Sequence, residues 1–171
     1  LWCKAGSRFE ENGEEGVAHF LEHMVFKGSS KLNEGEFDLR IESIGGSSNA
    51  ATGFDDVHFY ALVTSEEMPK AIDLISNLVL TPSIKRDSFT DEKKVILEEI
   101  AQTNDHPEEV IFQTLLRNCW HNQVYGKPIL GTEKSIHNID TYKMKSFHKR
   151  RYTSNNISLS LAGKIPTDIE N

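Results

Sequence analysis

The segment His19-Phe20-Leu21-Glu22-His23 holds the residues of this sequence best placed to do chemistry. The order H-x-x-E-H brings two metal ligands and a proton acceptor together on one helix. At about 100° per residue, His19, Glu22, His23 and Phe26 share one helical face, while Val17, Leu21, Met24 and Val25 gather on the other. One face can bind a metal while the other packs. Imidazoles at i and i+4 converge on a single zinc ion, and the carboxylate between them reaches a metal-activated water without being a ligand. That makes Glu22 the candidate catalytic base, with His19 and His23 as candidate zinc ligands. Seven histidines in 171 residues leave room for a chance match, so the pattern needs support from the rest of the chain.

A hydrolytic zinc site uses three protein ligands and keeps one position open. The stretch Asp91 to Thr103, DEKKVILEEIAQT, can supply the third. Read as a helix, it places Glu92, Val95, Ile96, Glu99 and Thr103 on one stripe and turns Lys94 and Glu98 to the opposite side. Carboxylates among apolar neighbours are costly unless they are paired or bound to a cation, which fits a metal ligand with an acidic group behind it. Glu99 is the candidate third ligand. A solvated acidic helix would carry similar residues, and the inverted motif favours the metal reading.

These segments resemble the pitrilysin-like zinc peptidases, above all their mitochondrial processing peptidase and bacterial processing-protease branch. The resemblance rests on His19 to Met24 followed by Phe26-Lys27-Gly28 and preceded by Ala5-Gly6-Ser7-Arg8. It continues through Asn49-Ala50-Ala51-Thr52, Leu97-Glu98-Glu99-Ile100, Gly126 to Thr132 and Tyr152 to Gly163. It implies one Zn2+ per chain and selects Glu99 over Glu98 as the distal ligand. It also implies that Glu92 supports the site without being a primary ligand, and that Asn49, Ala50 and Ala51 lie on a substrate-binding edge strand. The activity it implies is endopeptidase cleavage of extended peptide or protein substrates. Such a protein closes a C-terminal domain or a partner subunit over the site, so residues 1–171 are expected to form a single N-terminal catalytic domain of a longer chain. The abrupt start in what reads as mid-strand, at Leu1-Trp2-Cys3-Lys4, points the same way.

Composition narrows the alternatives. With 37% hydrophobic residues the chain can bury one substantial core. A formal charge of −7 argues against a nucleic-acid surface, which needs clustered cations. The basic run Lys143 to Arg151 alternates with Met144, Phe147 and Tyr152 at helical spacing and reads as a solvated helix face. No apolar stretch is long enough for a membrane span, so a soluble protein is expected. The two distant cysteines fit a reducing compartment, such as a bacterial cytoplasm or mitochondrial matrix, better than a disulfide scaffold. Cys3 reads as strand packing and Cys119 as a small buried hydrophobe. His58 reads as packing or surface, and His106, His121, His137 and His148 as solvated imidazoles.

Two rivals remain at this level. A metalloenzyme of the S-ribosylhomocysteine lyase type shares the inverted motif but takes a cysteine as third ligand, and Cys119 lies farther from His23 than its spacing allows. A non-catalytic core subunit of a processing-peptidase-like complex shares the fold but usually loses motif residues that this chain keeps.

The pattern predicts an α+β fold, a mixed sheet packed with helices. Strands are expected over 1–5, 47–51, 57–63 and 156–162. Helices are expected over about 16–26, 34–44, 65–80, 84–104, 108–119, 132–137 and 140–151. Gly45-Gly46 ends the second helix, and residues 53–56 turn a hairpin.

Overall fold

A computed structural model describes residues 1–121, 123–167 and 169. Four strands, β1 (Trp2–Cys3), β2 (Ser47–Thr52), β3 (Val57–Leu62) and β4 (Ile157–Ser158), form one sheet in the order β2-β3-β1-β4. The helices are α1 (Val17–Val25), α2 (Glu36–Ser43), α3 (Met68–Leu80), α4 (Arg86–Asp105), α5 (Pro107–Cys119), α6 (Glu133–Asn138) and α7 (Thr141–Arg151). The α+β class is as expected. The three strand pairings are all antiparallel, so the sheet is not mixed in direction.

The central hairpin follows its sequence signals. Gly53 N–H bonds to the Asp56 carbonyl at 2.8 Å, and the ladder runs from Thr52 opposite Val57 to Ser47 opposite Leu62. Period-2 alternation buries Val57 and Phe59 and turns Tyr60 outward. His58 stacks on Trp2 at 4.5 Å. β1 and β4 are shorter than the expected 1–5 and 156–162. The Ala5 amide bonds to the Cys3 carbonyl two residues back, at 2.7 Å, and so turns the chain out of the ladder. β1 then offers β4 only two pairing residues.

α1 sits at the centre of the core, with Val17, Ala18, Phe20, Leu21, Met24 and Val25 buried. Its start depends on Gly16, whose φ of 91° favours glycine and whose added Cβ would lie 2.6 Å from the Leu130 carbonyl oxygen. Glu10 closes the same end, accepting from the Gly16 and Ala18 amides at 3.0 and 2.9 Å. α4 packs beside α1 through Phe89, Glu92 and Ile96, one stripe at i, i+3 and i+7, and Phe89 stacks on Phe20 at 4.7 Å.

Several expectations are corrected. Cys119 is exposed, because α5 lies on the surface with no buried residue. Val95, expected on the inward stripe, is 45% exposed, since the covered part of α4 is narrower than that stripe. His148 is not a solvated imidazole: its Nε2 bonds to the Val79 carbonyl at 2.9 Å and its ring stacks on Tyr152 at 4.5 Å. The basic run is only partly solvated. Arg150 bonds to both carboxylate oxygens of buried Glu14 at 2.7 Å, and Arg151 donates to the Lys4 carbonyl. Among the described residues no helix is long and apolar enough to cross a membrane.

Candidate metal centre

One edge of α1 carries His19, Glu22 and His23 towards α4 and β2. His19 is buried, while Glu22 and His23 are half-buried. On α4, Glu99 lies one turn beyond the buried Ile96 and presents its two oxygens to the two histidines separately. Oε1 lies 3.6 Å from His19 Nε2 and Oε2 lies 3.6 Å from His23 Nε2. Ligand atoms of His19, His23 and Glu99 lie within 4.8 Å of one another. Cys119 is not part of this group.

The spacing itself tests the fit to zinc. At 3.6 Å the pairs are too long for hydrogen bonds, so the three groups gather without satisfying each other. Donors about 2.1 Å from a tetrahedral ion stand roughly 3.4 Å apart, close to what is seen. The donor set, two imidazoles and a carboxylate, is one that zinc takes in hydrolytic sites. Burial also lowers the His19 pKa to about 4, which leaves a neutral imidazole with a free lone pair at neutral pH. The residues present fit the ion.

Surrounding groups divide by function. Glu92 accepts from His23 Nδ1 at 2.8 Å, which directs the other ring nitrogen of His23 towards Glu99. Lys27 pairs with the second Glu92 oxygen at 2.8 Å. Burial pushes the Glu92 carboxyl up, but the bonds from Lys27 and His23 outweigh it, and the net shift is downward. Glu98 is exposed on the far side of α4. Glu22 makes no ion pair among the described residues. Burial raises its pKa, against a hydrogen bond donated by the Thr52 hydroxyl to Oε2. A carboxylate placed in this way, beside the two imidazoles, is suited to accept and return a proton.

Asn49, Ala50 and Ala51 lie in β2, which pairs only with β3 and so leaves its other edge free among the described residues. The Asn49 side-chain oxygen folds back onto the Ala50 amide at 2.9 Å, so that donor points away from β3. Thr52 ends this strand and touches Glu22, which joins the sheet edge directly to the histidine helix.

Sequence reasoning found His19, Glu22, His23, Glu92 and Glu99, and the structure brings them together. It assigned no role to the Thr52 hydroxyl or to Lys27. Both act across long sequence separations, and neither carries a local periodic signal. Their only trace was membership of the segments 49–52 and 26–28.

A two-histidine, one-glutamate cluster beside an unpaired carboxylate, set on a helix against an antiparallel sheet, has the makeup of a metallohydrolase domain. Comparison with known proteins gives the same class. Residues 1–133 match the model of the insulinase family, peptidase family M16, and the chain belongs to that family. It is 38% identical over 165 residues to an uncharacterized zinc protease of Rickettsia bellii, covering 96% of this chain and 40% of that protein. It is 32% identical over 166 residues to the beta subunit of the Neurospora crassa mitochondrial-processing peptidase, covering 97% of this chain and 35% of that subunit. Among solved structures, a protease from Helicobacter pylori superimposes with a TM-score of 0.87 at 29% identity, covering 91% of this chain and 38% of that one. The chain thus spans well under half the length of these relatives.

Proposed function

We propose that this chain is the zinc-binding catalytic domain of an endopeptidase, hydrolysing peptide bonds in extended peptide or protein segments. The observation that carries this reading is the convergence of His19, His23 and Glu99 on one point beside the otherwise unpaired Glu22. Those three residues would hold one zinc per chain, and when bound it would supply Lewis-acid activation of water and of the scissile carbonyl. Glu22 takes the water's proton at its carboxylate and delivers it to the leaving amine, and Thr52 holds that carboxylate in place. Glu92 fixes the ring of His23. The free edge of β2 at Asn49, Ala50 and Ala51 binds the substrate backbone as an added strand, with the Asn49 side chain displaced from the Ala50 amide. Substrate positioning is shared with a further domain or a partner subunit, a reading supported by the greater length of the relatives.

The test is a cleavage assay on peptides of extended, unstructured sequence, using the full-length protein before and after chelation. Activity that disappears with the metal and returns on adding one equivalent of zinc supports the proposal. Metal-independent cleavage, or no cleavage by zinc-loaded full-length protein, contradicts it.

A further inference from the structure

We infer that Lys27 is a positioning residue for this centre, acting through Glu92 to decide which nitrogen of His23 carries the ring proton. The inference rests on the reading of His23 as a metal ligand, and it extends that reading to a residue to which nothing above gives a role.

The geometry is a relay of three groups. Lys27 Nζ lies 2.8 Å from Glu92 Oε2, and Glu92 Oε1 lies 2.8 Å from His23 Nδ1. The Glu92 side chain is only 8% exposed, so each oxygen must be satisfied by protein. His23 offers one N–H, which satisfies one oxygen. Lys27 satisfies the other and supplies the opposite charge that a buried carboxylate needs. With Oε2 tied to Lys27, Oε1 is left facing the imidazole. Accepting there keeps the proton on Nδ1 and leaves Nε2, the nitrogen nearest Glu99, as a bare lone pair.

Local sequence explains why Lys27 reaches this spot. Its amide bonds to the Met24 carbonyl at 3.1 Å, so it continues the last turn of α1. Gly28 follows with φ at 105°, and a Cβ there would lie 2.9 Å from the Leu32 carbonyl oxygen. The chain therefore turns sharply just after Lys27, and the side chain is directed towards α4. On its outer side the ammonium lies 3.4 Å from Glu34, which in turn accepts from the Ser88 hydroxyl of α4 at 3.1 Å. Glu34 is exposed and is a flanking partner. The buried partner is Glu92.

The test uses the full-length protein and two readouts, zinc affinity by chelator competition and the His23 ring-nitrogen tautomer by NMR in metal-free protein. Lys27→Met should lower zinc affinity about tenfold, the lower end of the usual range for groups behind metal ligands, and reduce the Nδ1–H population of His23. Lys27→Arg should restore both, and Glu34→Gln should change neither. In a Glu92→Gln background, Lys27→Met should add nothing, because the relay is already cut. An unchanged His23 tautomer in Lys27→Met overturns the inference, as does an equal loss of affinity with and without Glu92. A tautomer that shifts in a protein binding no zinc upholds the relay and rejects the metal-centre reading instead.

Discussion

Glu92 and Glu99 stand two turns apart on α4 and address the same imidazole from opposite sides. One lies 2.8 Å from His23 Nδ1 and the other 3.6 Å from His23 Nε2. Their spacing of seven residues returns to the same helical face, whereas Glu98, one residue away, is exposed. This separates three chemically identical side chains by position. Glu99→Gln is expected to lower zinc affinity severely, since a neutral amide replaces an anionic oxygen among three protein donors. Glu92→Gln should cost about 10–100-fold. Glu98→Gln should leave affinity unchanged. Chelator-competition titration of the three variants checks this, and a damaging Glu98→Gln would contradict the ligand assignment.

Thr52 should matter through Glu22 alone. Its hydroxyl bond holds the Glu22 pKa down against burial, so Thr52→Val lets that pKa rise. The base is then protonated over a wider acidic range, and the acid limb of the kcat/KM profile moves to higher pH. Loss of one hydrogen bond of about 1 kcal/mol predicts a fall in kcat/KM of up to roughly tenfold at neutral pH, with zinc content unchanged. An unmoved acid limb would mean that Thr52 does not act on the base.

Arg150 and Glu14 tie α7 to the loop in front of α1. Glu14 is 7% exposed and accepts from Arg150 at 2.7 Å on each oxygen, with a further bond from the Glu11 amide at 3.0 Å. Arg150→Met leaves a buried carboxylate without its cation and should destabilise by about 1–3 kcal/mol, below the cost of breaking a fully buried pair because the guanidinium is partly solvated. Thermal unfolding should show a fall of roughly 2–4 °C per kcal/mol. A melting temperature equal to wild type would reduce the pair to a surface contact.

His148 gives stability a pH dependence far from the metal site. Burial lowers its pKa from the ordinary 6.5, despite the bond to the Val79 carbonyl. The unfolded chain therefore binds this proton more readily than the folded one. The stabilisation is complete above pH 6.5 and is lost as pH falls from there towards the folded-state pKa. His148→Phe retains a ring to stack on Tyr152 and removes the titration, so its melting temperature should fall less steeply below pH 6.5 than that of wild type. Parallel curves would contradict the assignment.

Much of this site was legible because it is helical. A period of 3.6 separates Glu99 from Glu98 and puts His19 beside His23 without any knowledge of the fold. The hairpin was legible too, from Gly53, the acidic turn and the β-branched and aromatic strand after it. What could not be read depends on contacts between distant segments. Thr52 reaches Glu22 from the sheet to α1, Lys27 reaches Glu92 between two helices, and His148 finds a carbonyl at the end of α3. Cys119 was misread because burial was inferred from residue type, and α5 proved to lie on the surface.

The most direct test of the central claim is zinc binding and peptide hydrolysis measured together on Glu22→Gln in the full-length protein. The proposed ligand set predicts that the variant binds one zinc per chain with wild-type affinity, because Glu22 stands beside His19, His23 and Glu99 without belonging to that set. It predicts at the same time that hydrolysis falls by about 10²–10⁴-fold, the usual contribution of a positioned proton acceptor. Loss of zinc in this variant would place Glu22 among the ligands, and retained hydrolysis would remove it from the chemistry; either result contradicts the account.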